Sequence, residues 1–144
     1  MASARTVGTI EASASEVWEY ISNFAGIDQF MPPIARSVGT GDGVGMQRQC
    51  TFQDGAQITE TLLALDDQKR SLQYNVHDPN PLPFEKYVST TSVKELGAAR
   101  CEVEWLAEFE PQGMPGQDVT TLLEGIYQQG IDRLRQLTTQ SKKS

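Results

Sequence analysis

The sequence predicts an α+β fold in which an antiparallel sheet of about seven strands wraps around one long C-terminal helix. Three observations predict it. Across residues 118–139, Val119, Leu122, Leu123, Ile126, Tyr127, Ile131, Leu134 and Leu137 recur at the i, i+3, i+4, i+7 spacing of one helical face. Glu124, Gln128, Asp132 and Arg135 occupy the other face. Nearly everything upstream reads as short strands separated by turn residues, and 144 residues suit a single domain, 1–144, with a real core.

Composition narrows the class. With 38% hydrophobic and 22% charged residues the chain should fold, and a net charge of −7 argues against nucleic acid or an anionic membrane as the main partner. No apolar run approaches the ~18 residues of a membrane span. No basic-then-apolar leader opens the sequence, so a cytoplasmic protein, monomeric or weakly dimeric, is expected. Cys50 and Cys101 fall in strand-like stretches and read as buried free thiols. One histidine and two distant cysteines supply no ligand set for a metal, and no cofactor is expected.

The elements follow in order. Residues 5–11 form a first strand. Ser13-Ala-Ser-Glu16 is a capping box that starts a short helix burying Val17, Ile21 and Phe24, with Trp18 and Tyr20 flanking. Residues 23–26 break it, and 27–31 make one more helical turn before Pro32-Pro33. A short strand at 34–38 leads into Gly39, Gly41, Gly43 and Gly45, a turn or mobile loop. It is not a phosphate loop, since no Gly-Lys-Ser/Thr follows.

Strands at 46–53 and 57–65 flank the hairpin signal Asp54-Gly55. A strand at 70–77 precedes a loop at 78–83 whose three prolines exclude sheet interior. Strands at 84–96 and 100–110 turn at Gly97-Ala98. In the last strand Cys101, Val103, Trp105, Ala107 and Phe109 form a buried face and Glu102, Glu104, Glu108 and Glu110 a wet acidic one. Residues 141–144 read as a frayed tail.

Local motifs in this order resemble a family. They are Ile10-Glu-Ala-Ser-Ala-Ser-Glu-Val-Trp18, Gly43-Val-Gly-Met-Gln-Arg48, Asp54-Gly55, Thr59-Glu-Thr-Leu62 with Leu65-Asp66-Asp67, Tyr87-Val-Ser-Thr90, Val103-Glu-Trp105 and Phe109-Glu-Pro111. Over nearly its whole length the chain resembles the polyketide cyclase/dehydrase type of the START-like superfamily, also called SRPBCC, to which plant abscisic acid receptors, the birch pollen allergen and norcoclaurine synthase belong. The resemblance implies a helix-grip fold: a curved sheet holding the C-terminal helix, two short helices after the first strand, and a cavity between sheet and helix for a small hydrophobic ligand. It does not imply which ligand or reaction.

Alternation marks the inward face. With Tyr74 inward, so are Leu72 and Val76; Ile58, Glu60, Leu62 and Ala64 form a second row, and Tyr87, Ser89, Thr91 and Val93 a third. Glu60, Tyr74, Tyr87 and Ser89 also match cavity positions of the abscisic acid receptors. Arg36 falls near the place of the lysine that meets the ligand carboxylate there. Trp105, Ile126 and Gly130 complete the expected ligand-contacting set.

Glu60 is a carboxylate on an otherwise apolar face. It orients a polar group on a ligand, acts as a general acid or base, or simply pairs with a cation or reaches solvent at the sheet edge. By alternation His77 faces outward at a strand end, either simply exposed or a contact at the cavity mouth, and no nucleophile elbow accompanies it. Gly130 either makes room for a ligand or lets the helix approach the sheet. Loops 39–45 and 78–83 either flank and gate the cavity or are ordinary connections, and no clear match to the receptors' gate and latch motifs is present. The leading expectation is a binder of a small hydrophobic or aromatic molecule, polyketide-, isoprenoid- or lipid-like, in an enclosed cavity of a few hundred Å³. The alternatives are a cyclase/dehydrase-type enzyme using Glu60 and the tyrosines, and a ligand-free interaction module with a filled core and an exposed apolar patch.

Overall fold

The computed structural model describes residues 1–143, with side chains through residue 138. Seven strands form one antiparallel sheet in the order β1-β7-β6-β5-β4-β3-β2. They are β1 (Ala2–Ile10), β2 (Ile34–Thr40), β3 (Gln47–Phe52), β4 (Gln57–Asp66), β5 (Ser71–Val76), β6 (Phe84–Gly97) and β7 (Arg100–Pro111). Strands β2 to β7 meander, each pairing with the next, and β1 closes against β7. The long C-terminal helix α2 (Gly116–Lys143) lies on the sheet's inner face, as a helix-grip fold requires. Among the described residues no helix is long and apolar enough to cross a membrane.

Between β1 and β2 the chain forms helix α1 (Ala14–Ser22) and a 3-10 helix (Phe24–Gln29). Ser13 caps α1 as its sequence predicts, its hydroxyl accepting from the Glu16 N–H at 3.1 Å. Val17, Trp18 and Ile21 are buried, and the Trp18 indole donates to Asp67 at 3.0 Å. The second helical stretch starts earlier than expected, at Phe24, and Gly26 leaves the helical region inside it.

Several boundaries differ from the sequence reading. Strand β1 starts at Ala2 because every residue from Ala2 to Ile10 has a partner on β7. Strand β2 runs on through Thr40, paired to Gln47. Helix α2 continues through Lys143, so residues 141–143 of the expected frayed tail are helical, and residue 144 lies outside the described residues.

Two bulges explain where simple alternation fails. In β4 the register shifts between Leu62 and Ala64. Ala64 therefore faces solvent, contrary to the period-two expectation, and Leu65 packs on the core instead. In β6 the register shifts between Glu85 and Val88, where Lys86 has a φ of 54°. Phe84 and Tyr87, three residues apart, consequently both point inward and stack with ring centroids 4.8 Å apart. Beyond the bulge Tyr87, Ser89, Thr91 and Val93 are all buried on one face, as read from the sequence.

The helix grips the sheet at Gly130. A Cβ there would lie 2.9 Å from the Met31 methyl and 3.2 Å from the Trp105 ring. The missing side chain serves close approach to β7, with Trp105 and Met31 filling the space. Gly125, by contrast, is exposed and has no neighbour where a Cβ would stand. The edge strand β1 is tied to α2: Glu124 accepts from the Arg5 N–H at 3.0 Å, and Thr120 and Arg135 donate to the Ser3 and Thr9 carbonyls at 2.8 and 2.9 Å. These contacts satisfy backbone groups that a free sheet edge would expose.

Candidate functional site

The cavity lies between the sheet and the first half of α2. Its walls are apolar: Ile27, Met31 and Ile34 from the helical connection and β2, Phe52, Ile58, Val76 and Phe84 from the sheet, and Leu122, Leu123 and Ile126 from α2. Leu82 and Pro83 of the proline-rich loop complete the rim, and Leu122, 42% exposed, marks the mouth. Loop 39–45 contributes nothing to the lining. The polar lining consists of Glu60, Tyr74, Tyr87 and Tyr127.

The cavity volume is about 80 Å³, smaller than the few hundred Å³ expected from sequence. Aromatic packing is the reason. Tyr127 stacks on Trp105 with centroids 5.4 Å apart and planes 5° apart, and Tyr74 and Tyr87 lie 6.1 Å apart. These rings occupy the inner part of the space that the curved sheet encloses.

Glu60, in the lining, belongs to a buried ion pair. Arg48 on β3 stands directly opposite Glu60 on β4, and its Nε donates to Glu60 Oε1 at 2.7 Å. Their side chains are 3% and 6% exposed. The guanidinium also donates from Nη1 to the Phe24 carbonyl at 2.8 Å. It lies 3.8 Å from the Phe24 ring centroid and 4.7 Å from that of Tyr74, within cation–π range of both. Burial alone would lower the Arg48 pKa; Glu60, followed by Tyr74, more than offsets this and holds it raised. The Cys50 thiol approaches the same Glu60 Oε1 at 3.7 Å.

The phenols form a second polar layer. Tyr87 and Tyr127 share a hydrogen bond between their hydroxyls, and the Trp105 indole donates to the Tyr74 hydroxyl at 3.2 Å. Burial pushes all three phenols up, Tyr87 and Tyr127 well above the usual range. They stay protonated at neutral pH, so they act as hydrogen-bonding groups and not as phenolate bases.

The structure brings Glu60, Tyr74, Tyr87 and Ile126 of the sequence-derived set together in the lining. Ser89 is buried behind it and donates to the Leu106 carbonyl at 3.0 Å. Trp105 and Gly130 form the contact between sheet and helix described above. Arg36 is exposed on β2, away from the lining; the bulge between Ile34 and Arg36 shifts the face of that short strand. His77 is half-buried on the outer face, its Nε2 2.5 Å from the Thr61 hydroxyl.

Sequence reasoning missed Arg48, Tyr127 as a polar group, and Phe84. The signal for Arg48 was present: the Asp54-Gly55 turn, with Gly55 at φ 92°, sets a register that pairs residue 48 with residue 60. Phe84 had no such signal, since a bulge brings it inward.

Both cysteines are free and buried. Burial, then Glu60, pushes the Cys50 thiol up to about 12; burial pushes Cys101 up to about 11. At pH 8 the native protein should therefore react with a thiol-specific disulfide reagent only as fast as it opens, and both thiols should react at once in denaturant. Rapid labelling of the folded protein would contradict this burial.

Comparison with known proteins agrees with the fold. The fold closely matches the protein XoxI from Bacillus cereus, 30% identical over 99% of both chains, with a TM-score of 0.90. Norcoclaurine synthase from Thalictrum flavum, solved with dopamine and hydroxybenzaldehyde, matches at 19% identity and a TM-score of 0.75 over 96% of this chain and 86% of that one. The Zhui aromatase/cyclase from Streptomyces sp. R1128 matches at 15% identity and 0.75 over 98% and 93%. At such identities the last two share the fold alone. A search of curated protein sequences found no match. The family model for polyketide cyclase/dehydrase and lipid transport proteins matches residues 1–138, and with the helix-grip architecture in place the chain belongs to that family.

Proposed function

We propose that this domain binds a small, largely hydrophobic or aromatic molecule in the cavity between sheet and C-terminal helix. The observation that carries the reading is the lining itself: apolar walls open at Leu122 and Leu82, with Glu60, Tyr74, Tyr87 and Tyr127 as the polar residues among them. A ligand with an apolar body and a polar end satisfies both. Because the cavity is only about 80 Å³, the occupant is either of one-ring size or extends out through the mouth. Dopamine and hydroxybenzaldehyde in norcoclaurine synthase are ligands of that size.

Binding accounts for the polar lining better than acid–base chemistry does. The general-base form of a cyclase or dehydrase mechanism needs a free carboxylate or phenolate. Glu60 is engaged by Arg48, and the phenols are held protonated.

Thermal unfolding with fatty acids, isoprenoids, flavonoids and aromatic polyketides tests the proposal. A ligand at about 100 times its Kd should stabilise the native state by ~2.7 kcal/mol, which raises the midpoint by several degrees for a domain of this size. No shift with any of these classes would count against a ligand-binding role and in favour of the interaction module.

A further inference from the structure

The two edges of the sheet differ. Edge strand β1 is tied to α2 through its backbone. Edge strand β2 has no such cover, and its register fixes which groups stay open. Along β3 and its flanks the even-numbered residues bond β4: the Leu62 N–H donates to the Met46 carbonyl at 2.9 Å, and the Phe52 N–H to the Ala56 carbonyl at 2.8 Å. Alternate residues of an antiparallel ladder bond to opposite sides. Gln47, Gln49 and Thr51 therefore turn to β2, where they face Thr40, Val38 and Arg36. The Gln53 N–H, donating to the Pro33 carbonyl at 3.0 Å, continues the pattern. Ser37 and Gly39 are left presenting N–H and C=O to the free edge, and no loop, turn or side chain among the described residues bonds to them.

These open groups complement themselves. With a second copy of β2 laid antiparallel and the twofold axis at Val38, Ser37 stands opposite Gly39 of the other copy, and each such pair exchanges both N–H···O bonds. Moving the axis one residue breaks the match. One shift sets Gly39 against the bulge at Ala35, and the other sets Ser37 against Gly41, whose φ is 85°. In the centred register Val38, 54% exposed, meets its own copy at the closely spaced, non-hydrogen-bonded position. Arg36 faces Thr40 of the other copy, with Asp42 two residues beyond, a diagonal that a long side chain spans. Arg36 and Asp42 are exposed, and neither has an ion pair among the described residues. We infer that β2 is a self-association edge: two copies join their β2 strands antiparallel about Val38, and two seven-stranded sheets become one. An open edge attracts strands in general; the centred register, the Val38 pair and the match of Arg36 to Asp42 select a second copy of this chain. The inference is independent of what the cavity binds.

One strand pair buries well under the ~1,000 Å² of a stable interface, so the dimer should be weak, with a Kd on the order of 100 µM to 1 mM. Sedimentation equilibrium of the full chain, from about 20 µM to about 2 mM, should show the mass rising from monomer toward dimer. Amide exchange at Ser37 and Gly39 should slow over the same range. Val38→Lys sets like charges directly opposite and should raise Kd about tenfold or more. Arg36→Asp sets two acidic residues across the diagonal and should raise it about threefold, while the swap R36D/D42R should return it to near the wild-type value. All three positions are exposed, so each variant should keep the wild-type melting midpoint at low concentration. A chain that stays monomeric at the highest concentration would overturn the inference and leave the edge to solvent or to a strand of a different protein. Dimerisation that Val38→Lys leaves unchanged would overturn it by placing the contact elsewhere. A swap as weak as Arg36→Asp alone would overturn the register.

Discussion

Glu60→Gln is expected to lower the stability of the domain by about 3–5 kcal/mol, because it strands Arg48 as a buried, uncompensated cation. Arg48 is 3% exposed and Glu60 is its charged partner at 2.7 Å. The substitution keeps the shape of the side chain and removes only the charge, so packing loss cannot account for the effect. For a domain of this size the midpoint should fall by roughly 10 °C or more. The informative comparison is R48M/E60L. Replacing a buried ion pair with apolar side chains is often neutral or stabilising, so the double variant should recover most of the loss. Recovery will be incomplete, since the Phe24 carbonyl loses the Nη1 donor it accepts from at 2.8 Å, and a thioether in place of the Arg48 guanidinium gives up the cation–π contacts with Phe24 and Tyr74. Thermal or urea unfolding of the two variants beside wild type decides the matter. A double variant no more stable than Glu60→Gln would show that the charges matter less than the shape they fill.

Trp105→Ala should cost about 3–5 kcal/mol, the range for removing a fully buried large aromatic. Trp105 is 1% exposed, stacks on Tyr127, lies 6.1 Å from Phe30 and fills the space opposite Gly130. It is the contact through which β7 and α2 meet. Trp105→Phe should be milder, about 1–2 kcal/mol: it keeps most of the stack and loses the indole donor to the Tyr74 hydroxyl. Urea unfolding measures both. If the two variants were equally destabilised, the indole hydrogen bond to Tyr74 rather than the volume would account for the loss. A Trp105→Ala chain as stable as wild type would contradict the close packing at Gly130.

The amphipathic pattern of α2, the alternation of β7 and the capping box at Ser13 were all legible because each is local. A helical stripe, a period of two and a hydroxyl three residues from an amide need no distant partner to be recognised. Glu60, Tyr74 and Tyr87 were placed inward by the same alternation, which holds between bulges. It failed at Ala64 and did not foresee Phe84, since a single extra residue in β4 or β6 exchanges the two faces. The last helix pattern also included Leu122 in the buried stripe, whereas 42% exposure at the cavity mouth shows that the sheet does not cover that part of the helix.

The sequence by itself determined the fold class, the order of the elements, the helix that fills the sheet and the row of residues that carries Glu60. Only the tertiary structure decided what Glu60 does. Its partner Arg48 comes from another strand, Tyr87 meets Tyr127 across 40 residues of chain, and Trp105 is pressed against a glycine of the helix. Alternation says which way a side chain points. Which side chains meet there, and how much space their rings leave, depends on strand register, bulges and helix approach, which the whole chain fixes together.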